Sequence, residues 1–349
     1  MQKTKIVRKE LPARGTREAA VSSDALVQIR PLREGEPLPL LITPTVAGVS
    51  LVEWAASHRD LIQSHLHTHG GILFRGFAVD LLQEFETFIA AVSNGALTYE
   101  ERSSPRSQVR GNIYTSTDHP ASQSIFLHNE QSYNLSFPLR ILFACVTAAQ
   151  SGGATPIADV RAIYQRLDPA IRQKFIEKQY MYVRNFGDGF GLSWQEAFQT
   201  DDKARLEEYC RTNGIDVEWK GENRLRTRQI RPAVARHPVT GELAWFNHAT
   251  FFHISTLDAA TQTALRAAFD DEDLPNNTFY GDGTPIEPEV METLRSLYEE
   301  ATVRFTWQVG DVLMLDNMLT AHARDPFVGP RKILTGMADP CSWEDVRSV

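Results

Sequence analysis

Apolar and polar positions alternate in short blocks along this chain. Leu51, Val52, Trp54, Ala55, Leu61 and Ile62 recur at helical spacing and predict a helix over 51–65, stopped at Gly70-Gly71. Residues 72–77 (ILFRGF) are apolar and glycine-bounded, the pattern of a short strand. Helical period returns over 81–92, 160–178 and 259–269. Residues 139–146 (LRILFACV) read as a buried strand, and 181–186 as an alternating one. Ser193-Trp194-Gln195-Glu196 and Thr284-Pro285-Ile286-Glu287 have the form of capping boxes and predict helices running to about Cys210 and Ala301. Two or three short strands are expected over 226–247, and further strands at 311–315 and 332–337. Residues 99–125 are polar without period and are expected as loop. The charged, proline-punctuated residues 1–40 are expected as a partly ordered arm.

Short strands dominate the second half, with helices between them. That mixture predicts a mainly β, α+β fold on an antiparallel jelly-roll core. No Gly/Ser/Pro linker divides the chain, so residues 41–349 are expected as one domain, with helical insertions between 156 and 305.

Composition narrows the function classes. The 349 residues are 42% hydrophobic and 23% charged, which fits a soluble globular protein and excludes disorder as a whole. Lys and Arg number 36 against 44 Asp and Glu, a net charge of −8, which argues against nucleic acid as the main partner. No run approaches the ~18 apolar residues of a membrane span. Cys145, Cys210 and Cys341 are too few and too scattered for a disulfide framework or a CxxC knuckle, so a reducing cytoplasm is the expected compartment.

Dinucleotide, P-loop, HExxH and GxSxG signatures are absent. His58-Arg59-Asp60 has the letters of a kinase catalytic loop but lacks its Asn and any Gly-rich loop, and reads as a solvated helix face. His65, His67 and His69 stand where a helix ends, a place that favours His through the helix dipole. His128-Asn129-Glu130 is more informative. A His-x-acid tripeptide alone is cheap, but an apolar lead (Ile125-Phe126-Leu127) makes it a strand, and residues two apart on a strand point to one side. A facial triad of two His and one carboxylate then needs a second His. His322 supplies it, after the apolar run 310–317 and between small neighbours, Ala321 and Ala323. Nine residues on stands Arg331, a guanidinium able to hold a dicarboxylate.

Taken in order, these pieces resemble the TauD/TfdA family of Fe(II)- and 2-oxoglutarate-dependent dioxygenases. The matching segments are 70–77 (GGILFRGF), His128-x-Glu130, 152–156 (GGATP), Gly310-Asp311 with Asp316-Asn317, His322 and Arg331. The resemblance implies that His128, Glu130 and His322 bind iron, that Thr155 and Arg331 bind 2-oxoglutarate, with Arg324 as the alternative to Arg331, and that O₂ is the second co-substrate. Glu in place of Asp is similar to the branch holding clavaminate synthase. Segments 184–198 and 322–333 resemble syringomycin-type aspartyl hydroxylases. An intact carboxylate favours oxygenation, since related halogenases lack it; desaturation and epoxidation stay open. The implied substrate is a small molecule, an amino acid free or on a peptidyl carrier protein in natural-product biosynthesis, with a free acid or sulfonate as the alternative. A homo-oligomer is also open. Gln131, Tyr133 and Asn134, which follow the carboxylate, and Asn247, Arg226 and Arg228 are candidates for the substrate pocket. Trp194, Trp245, Phe251 and Phe252 are expected in the core. A cupin-like metallohydrolase would use the same triad without the Arg/Thr pair, and a non-catalytic scaffold would bind no iron.

Overall fold

The computed structural model describes residues 26–95, 108–115, 119–187, 189 and 191–346. An eight-stranded sheet runs in the order Val27–Arg33, Glu36–Pro44, Gly71–Phe74, Val312–Asp316, Ser136–Thr147, Lys332–Ser342, Ile113–Thr115, Gln108–Arg110. A four-stranded sheet runs Thr302–Val303, Ile157–Asp159, Thr320–Arg324, Ile125–His128. Leu313, Leu315, Phe143, Ile141 and Ile157 join residues of both sheets in one buried cluster, the filling of the jelly roll. Full burial of such side chains contributes roughly 1.5–3 kcal/mol each.

The outer face of the large sheet is covered by Leu51–Ser57, Arg59–His69 and Leu81–Val92, whose Leu51, Trp54, Ile62, Leu66, Phe85 and Phe88 are buried there. The predicted helix over 51–65 is therefore two helices, broken at His58. The second ends at Gly70, whose φ of 76° closes it in the left-handed region that favours glycine. His65, His67 and His69 lie on that helix end, as expected.

A third sheet, Ile215–Trp219, Leu225–Arg231, Tyr180–Phe186, Asn276–Tyr280, lies within the inserted region 156–305. Helices Val160–Arg166, Pro169–Lys178, Trp194–Phe198, Lys203–Thr212, Ala259–Ala268 and Pro288–Glu300 occupy the same stretch.

Several expectations change. Residues 27–44, of which 27–40 were expected within a partly ordered arm, form an antiparallel hairpin that pairs in parallel with Gly71–Phe74, because Leu38, Leu40, Leu41 and Ile42 are buried beside it; residues 1–25 lie outside the described residues. The segment 99–125 holds the strands Gln108–Arg110 and Ile113–Thr115, while 99–107 and 116–118 lie outside the described residues. The Ser193 box is formed in full, but its helix stops at Phe198 and a new one starts under the Asp202 cap. The Thr284 box is not formed, since that helix starts at Pro288, whose ring suits a first turn. Among the described residues no helix is long and apolar enough to cross a membrane.

Candidate active site

The small sheet places the chemistry. His128 ends the strand Ile125–His128 and is the direct cross-strand partner of His322 in Thr320–Arg324. Their rings sit 4.3 Å apart, centroid to centroid. Glu130 arrives differently from the expected strand alternation. The strand stops at His128, and a turn with Gln131 at φ 55° carries Glu130 back toward the imidazoles. A non-glycine residue in that region is uncommon and must be held by its surroundings.

Asn317 holds it. Its side-chain Oδ1 accepts from the Glu130 backbone N–H (2.7 Å), and its Nδ2 donates to the carbonyls of Glu130 (2.9 Å) and Pro138 (2.8 Å). Asn317 is fully buried. Asn317→Ala leaves three backbone groups without this partner, at about 1–3 kcal/mol for each one left buried and unsatisfied. A loss of stability on the order of 3 kcal/mol or more is expected in chemical denaturation. Ferrous affinity should fall about 10- to 100-fold in a metal titration, the usual effect of losing a group that orients a ligand.

One atom from each of His128, Glu130 and His322 lies within 4.8 Å of the others, and this is the single such group of three among the described residues. Glu130 Oε2 is 3.8 Å from His322 Nε2. His128 Nδ1 lies 2.8 Å from the Phe126 carbonyl. A carbonyl only accepts, so Nδ1 carries the proton and Nε2 keeps its lone pair, the form a metal requires. Two imidazoles and one carboxylate lining one pocket are a donor set that fits ferrous iron.

The triad lines a cavity of about 390 Å³ that also contains Thr155 and Arg331. Arg331 Nε donates to the Gly153 carbonyl (2.9 Å), and an Nη approaches Thr155 Oγ1 (3.4 Å). Thr155 Oγ1 also accepts from Trp307 Nε1 (3.1 Å), so its own hydrogen points elsewhere and can serve a ligand oxygen. Burial, with Arg324 next to it, pulls the Arg331 pKa down to about 10, so the guanidinium remains a cation at neutral pH. Arg324 lines the cavity too, but its Nη atoms donate to the carbonyls of His119, Pro120 and Gln123 and tie down that segment.

Sequence expectation for the substrate pocket fares less well. Gln131, Tyr133, Asn134, Asn247, Arg226 and Arg228 are not among the lining residues. Arg226 pairs with Glu272 and Asp273, and Arg228 with Glu218, on the third sheet. Asn247 ties its side chain to the Ala233 carbonyl and the Ala249 N–H. Tyr133 stands behind the wall, edge-on to His248 at 4.9 Å. Phe252 was expected in the core and is largely buried, yet with Phe251 it faces the cavity. His248, His253 and Trp307 went unnoticed because each is a lone residue without a spacing partner.

His253 gives the wall a pH dependence. Its Nδ1 accepts from the Ser255 N–H (3.2 Å) and caps the turn Ile254–Thr256. Burial, then Arg295 and Arg266, lowers its pKa from 6.5 to about 4. The fold thus keeps His253 neutral: its contribution is complete above pH 6.5 and is lost as the pH falls through 4. The urea midpoint is expected to drop across that window, by on the order of 3 kcal/mol in stability, and His253→Asn, which can still cap, should flatten the drop.

With the geometry in place, the comparisons with known proteins are decisive. The family model described as taurine catabolism dioxygenase TauD, TfdA family, matches residues 29–338. The chain belongs to the TauD/TfdA family. It is an iron(II)- and 2-oxoglutarate-dependent oxygenase. It is 40% identical over 312 residues to the dapdiamide synthesis protein DdaC of Enterobacter agglomerans, covering 89% of this chain and 94% of that protein. A clavaminate synthase-like protein of Arabidopsis thaliana is 28% identical over 322 residues, covering 87% of this chain and 94% of the other. In fold the TauD/TfdA chain resembles PvcB from Pseudomonas aeruginosa, with a TM-score of 0.53, 18% identity and coverage of 91% and 93%. A second PvcB structure, described as an Fe, alpha-ketoglutarate dependent oxygenase from an isonitrile synthetic pathway, matches at a TM-score of 0.53 and 17% identity, over 95% of this chain and all of that one.

Proposed function

We propose that this oxygenase hydroxylates an unactivated C–H of an amino acid, free or tethered to a peptidyl carrier protein, in natural-product biosynthesis. His128, Glu130 and His322 would hold the iron, and Arg331 with Thr155 the far carboxylate of 2-oxoglutarate. The observation that carries the assignment is the ligand triad within 4.8 Å, sharing one cavity with the Arg331–Thr155 pair. A dicarboxylate subsite of this kind has no use in a metallohydrolase on the same barrel. The biosynthetic reading is supported by DdaC, whose name gives dapdiamide synthesis, and by PvcB, placed in an isonitrile pathway.

Bound iron with O₂ supplies the oxidation of the C–H, coupled to decarboxylation of 2-oxoglutarate to succinate and CO₂. The chain's own residues do the rest. The His128 tautomer presents Nε2 to the metal, and Asn317 fixes the backbone that carries Glu130. Arg331 would supply the cation for the far carboxylate of the co-substrate. Phe126, Phe143, Phe251 and Phe252 give the cavity an apolar wall.

The test supplies Fe(II), 2-oxoglutarate and O₂ together with free amino acids and their carrier-protein thioesters, and reads succinate and intact product mass. Succinate with one added oxygen atom on the amino-acid substrate, free or tethered, is expected. Loss of two hydrogens would replace hydroxylation by desaturation. Turnover of a free acid or sulfonate alone would replace the amino-acid substrate, and absence of succinate with every substrate would overturn the assignment.

A further inference from the structure

His253 lines the cavity and takes no part in the metal or co-substrate sites. It is half-buried and opens the turn Ile254–Thr256. That turn is pinned to the third sheet, where the Ile254 N–H donates to Asn277 Oδ1 (3.2 Å). Phe251, two residues earlier and lining the same cavity, has its ring 4.7 Å from that of His128.

The hydrogen on the His253 ring is placed by a donor that cannot act otherwise. The Ser255 backbone N–H donates to His253 Nδ1 (3.2 Å). A backbone N–H never accepts, so Nδ1 carries a lone pair and no hydrogen. Ser255 Oγ stands 2.7 Å from the same nitrogen and accepts an N–H of Arg295, which leaves its own hydrogen for Nδ1. The ring hydrogen sits on Nε2. Among the described residues Nε2 has no hydrogen-bond partner, and it is not one of the buried atoms cut off from solvent. A residue of the cavity wall thus carries an unused N–H donor.

The geometry points to the Nε2–H of His253 as the group that anchors the substrate, through the oxygen of an uncharged carbonyl in an amide, ester or thioester. The surroundings decide the charge. Phe252, Leu257, Leu265 and Pro275 line the same cavity, and a carboxylate set against apolar side chains needs a cation beside it. The nearby cations are already engaged. Arg295 donates to Ser255 and pairs with Glu292, and Arg266 lies 3.8 Å from Asp271. Arg324 serves three backbone carbonyls, and Arg331 is assigned to 2-oxoglutarate. A neutral carbonyl requires none of them. This deepens the proposed function and rests on it for the oxidation alone. A free amino acid presents a carboxylate and a linked one an uncharged carbonyl, so His253 selects the linked form.

Three measurements on the Zn(II)- and 2-oxoglutarate-loaded protein test it. With ¹⁵N-labelled histidine, NMR is expected to show His253, assigned by its loss in His253→Asn, with bare Nδ1 and protonated Nε2. A proton on Nδ1 overturns the proposal. Hexanamide and hexanoate are matched probes that differ in the charge of the carbonyl end. Hexanamide is expected to bind more tightly and to shift the Nε2 resonance. Equal or tighter binding of hexanoate, or no binding of hexanamide, overturns it. Two substitutions then separate the two edges of the ring. The amide of His253→Asn can still accept from the Ser255 N–H but is too short to replace Nε2–H, whereas that of His253→Gln replaces Nε2–H and loses the cap. His253→Asn is expected to weaken hexanamide about tenfold at an unchanged neutral-pH urea midpoint, and His253→Gln to hold affinity within about threefold while its midpoint falls. A ring with only a structural role gives the reverse order of affinities, and equal affinity in all three proteins overturns the proposal as well. Absence of succinate from the Fe(II) enzyme with every substrate would strike the oxygenase reading and leave these results standing.

Discussion

Glu130→Ala is expected to end coupled turnover while leaving the fold intact. The two effects separate because Asn317 bonds the backbone N–H and carbonyl of residue 130, and both survive truncation of its side chain. Truncation removes the Glu130 carboxylate, 3% exposed and 3.8 Å from His322 Nε2, from the triad. Altering a group that merely orients a ligand costs about 10- to 100-fold in metal affinity, so removing a ligand should exceed ~100-fold. Ferrous titration reads the affinity, succinate release reads the coupling, and circular dichroism with a thermal melt reads the fold. Unchanged succinate release by a folded Glu130→Ala would sink the triad. Glu130→Asp should retain part of the activity, since it keeps the charge but withdraws it by one methylene from the gap to His322.

How much of this was legible in the sequence depends on distance along the chain. The strands at 139–146, 181–186 and 311–315 and the Ser193 capping box could be read locally, because their apolar period or cap chemistry lies within a few residues. The pairing of His128 with His322 could not, since it joins two short strands of the small sheet whose local patterns say nothing of each other. The family resemblance joined them. The errors have equally physical causes. Arg226 and Arg228 looked like ligand-binding cations, but the acids that neutralise them come from the neighbouring strand and from 272–273, across the third sheet. Residues 27–40 looked too charged and too rich in proline for order, yet Val27–Arg33 is a sheet edge, which accepts both, and the buried Leu38–Ile42 run fixes the strand beside it. His248 was illegible for a different reason. Its place in the cavity wall is set by Tyr180 and Ser132, which chain order separates and the fold brings together.

Arg331→Leu is expected to raise the stability of the ligand-free protein and to lower its affinity for 2-oxoglutarate. Both signs follow from one fact. Burial, followed by the neighbouring Arg324, disfavours the charged guanidinium enough to pull its pKa to about 10, so the fold holds the cation against its preference. An apolar side chain of similar reach removes that penalty, and the melting temperature without ligand should rise. The same cation is what a carboxylate needs. Truncating one side of a buried charge pair costs roughly 2–5 kcal/mol, which is about 30-fold or more in 2-oxoglutarate affinity. The ligand-induced rise in melting temperature seen in the unaltered protein should accordingly vanish at matched concentrations. Thr155→Val removes one charge-assisted hydrogen bond and should weaken affinity by about tenfold, with Trp307 Nε1 losing its acceptor as well. Arg331→Lys will not restore the site, because a single ammonium cannot meet both carboxylate oxygens and the Gly153 carbonyl in the same fork. Arg324→Leu separates the two arginines. Its guanidinium serves the carbonyls of His119, Pro120 and Gln123, so its loss should loosen the cavity wall and leave 2-oxoglutarate affinity within a few-fold of the unaltered value. Reversed outcomes for the two arginines, with Arg324→Leu abolishing co-substrate binding and Arg331→Leu sparing it, would transfer the carboxylate to Arg324.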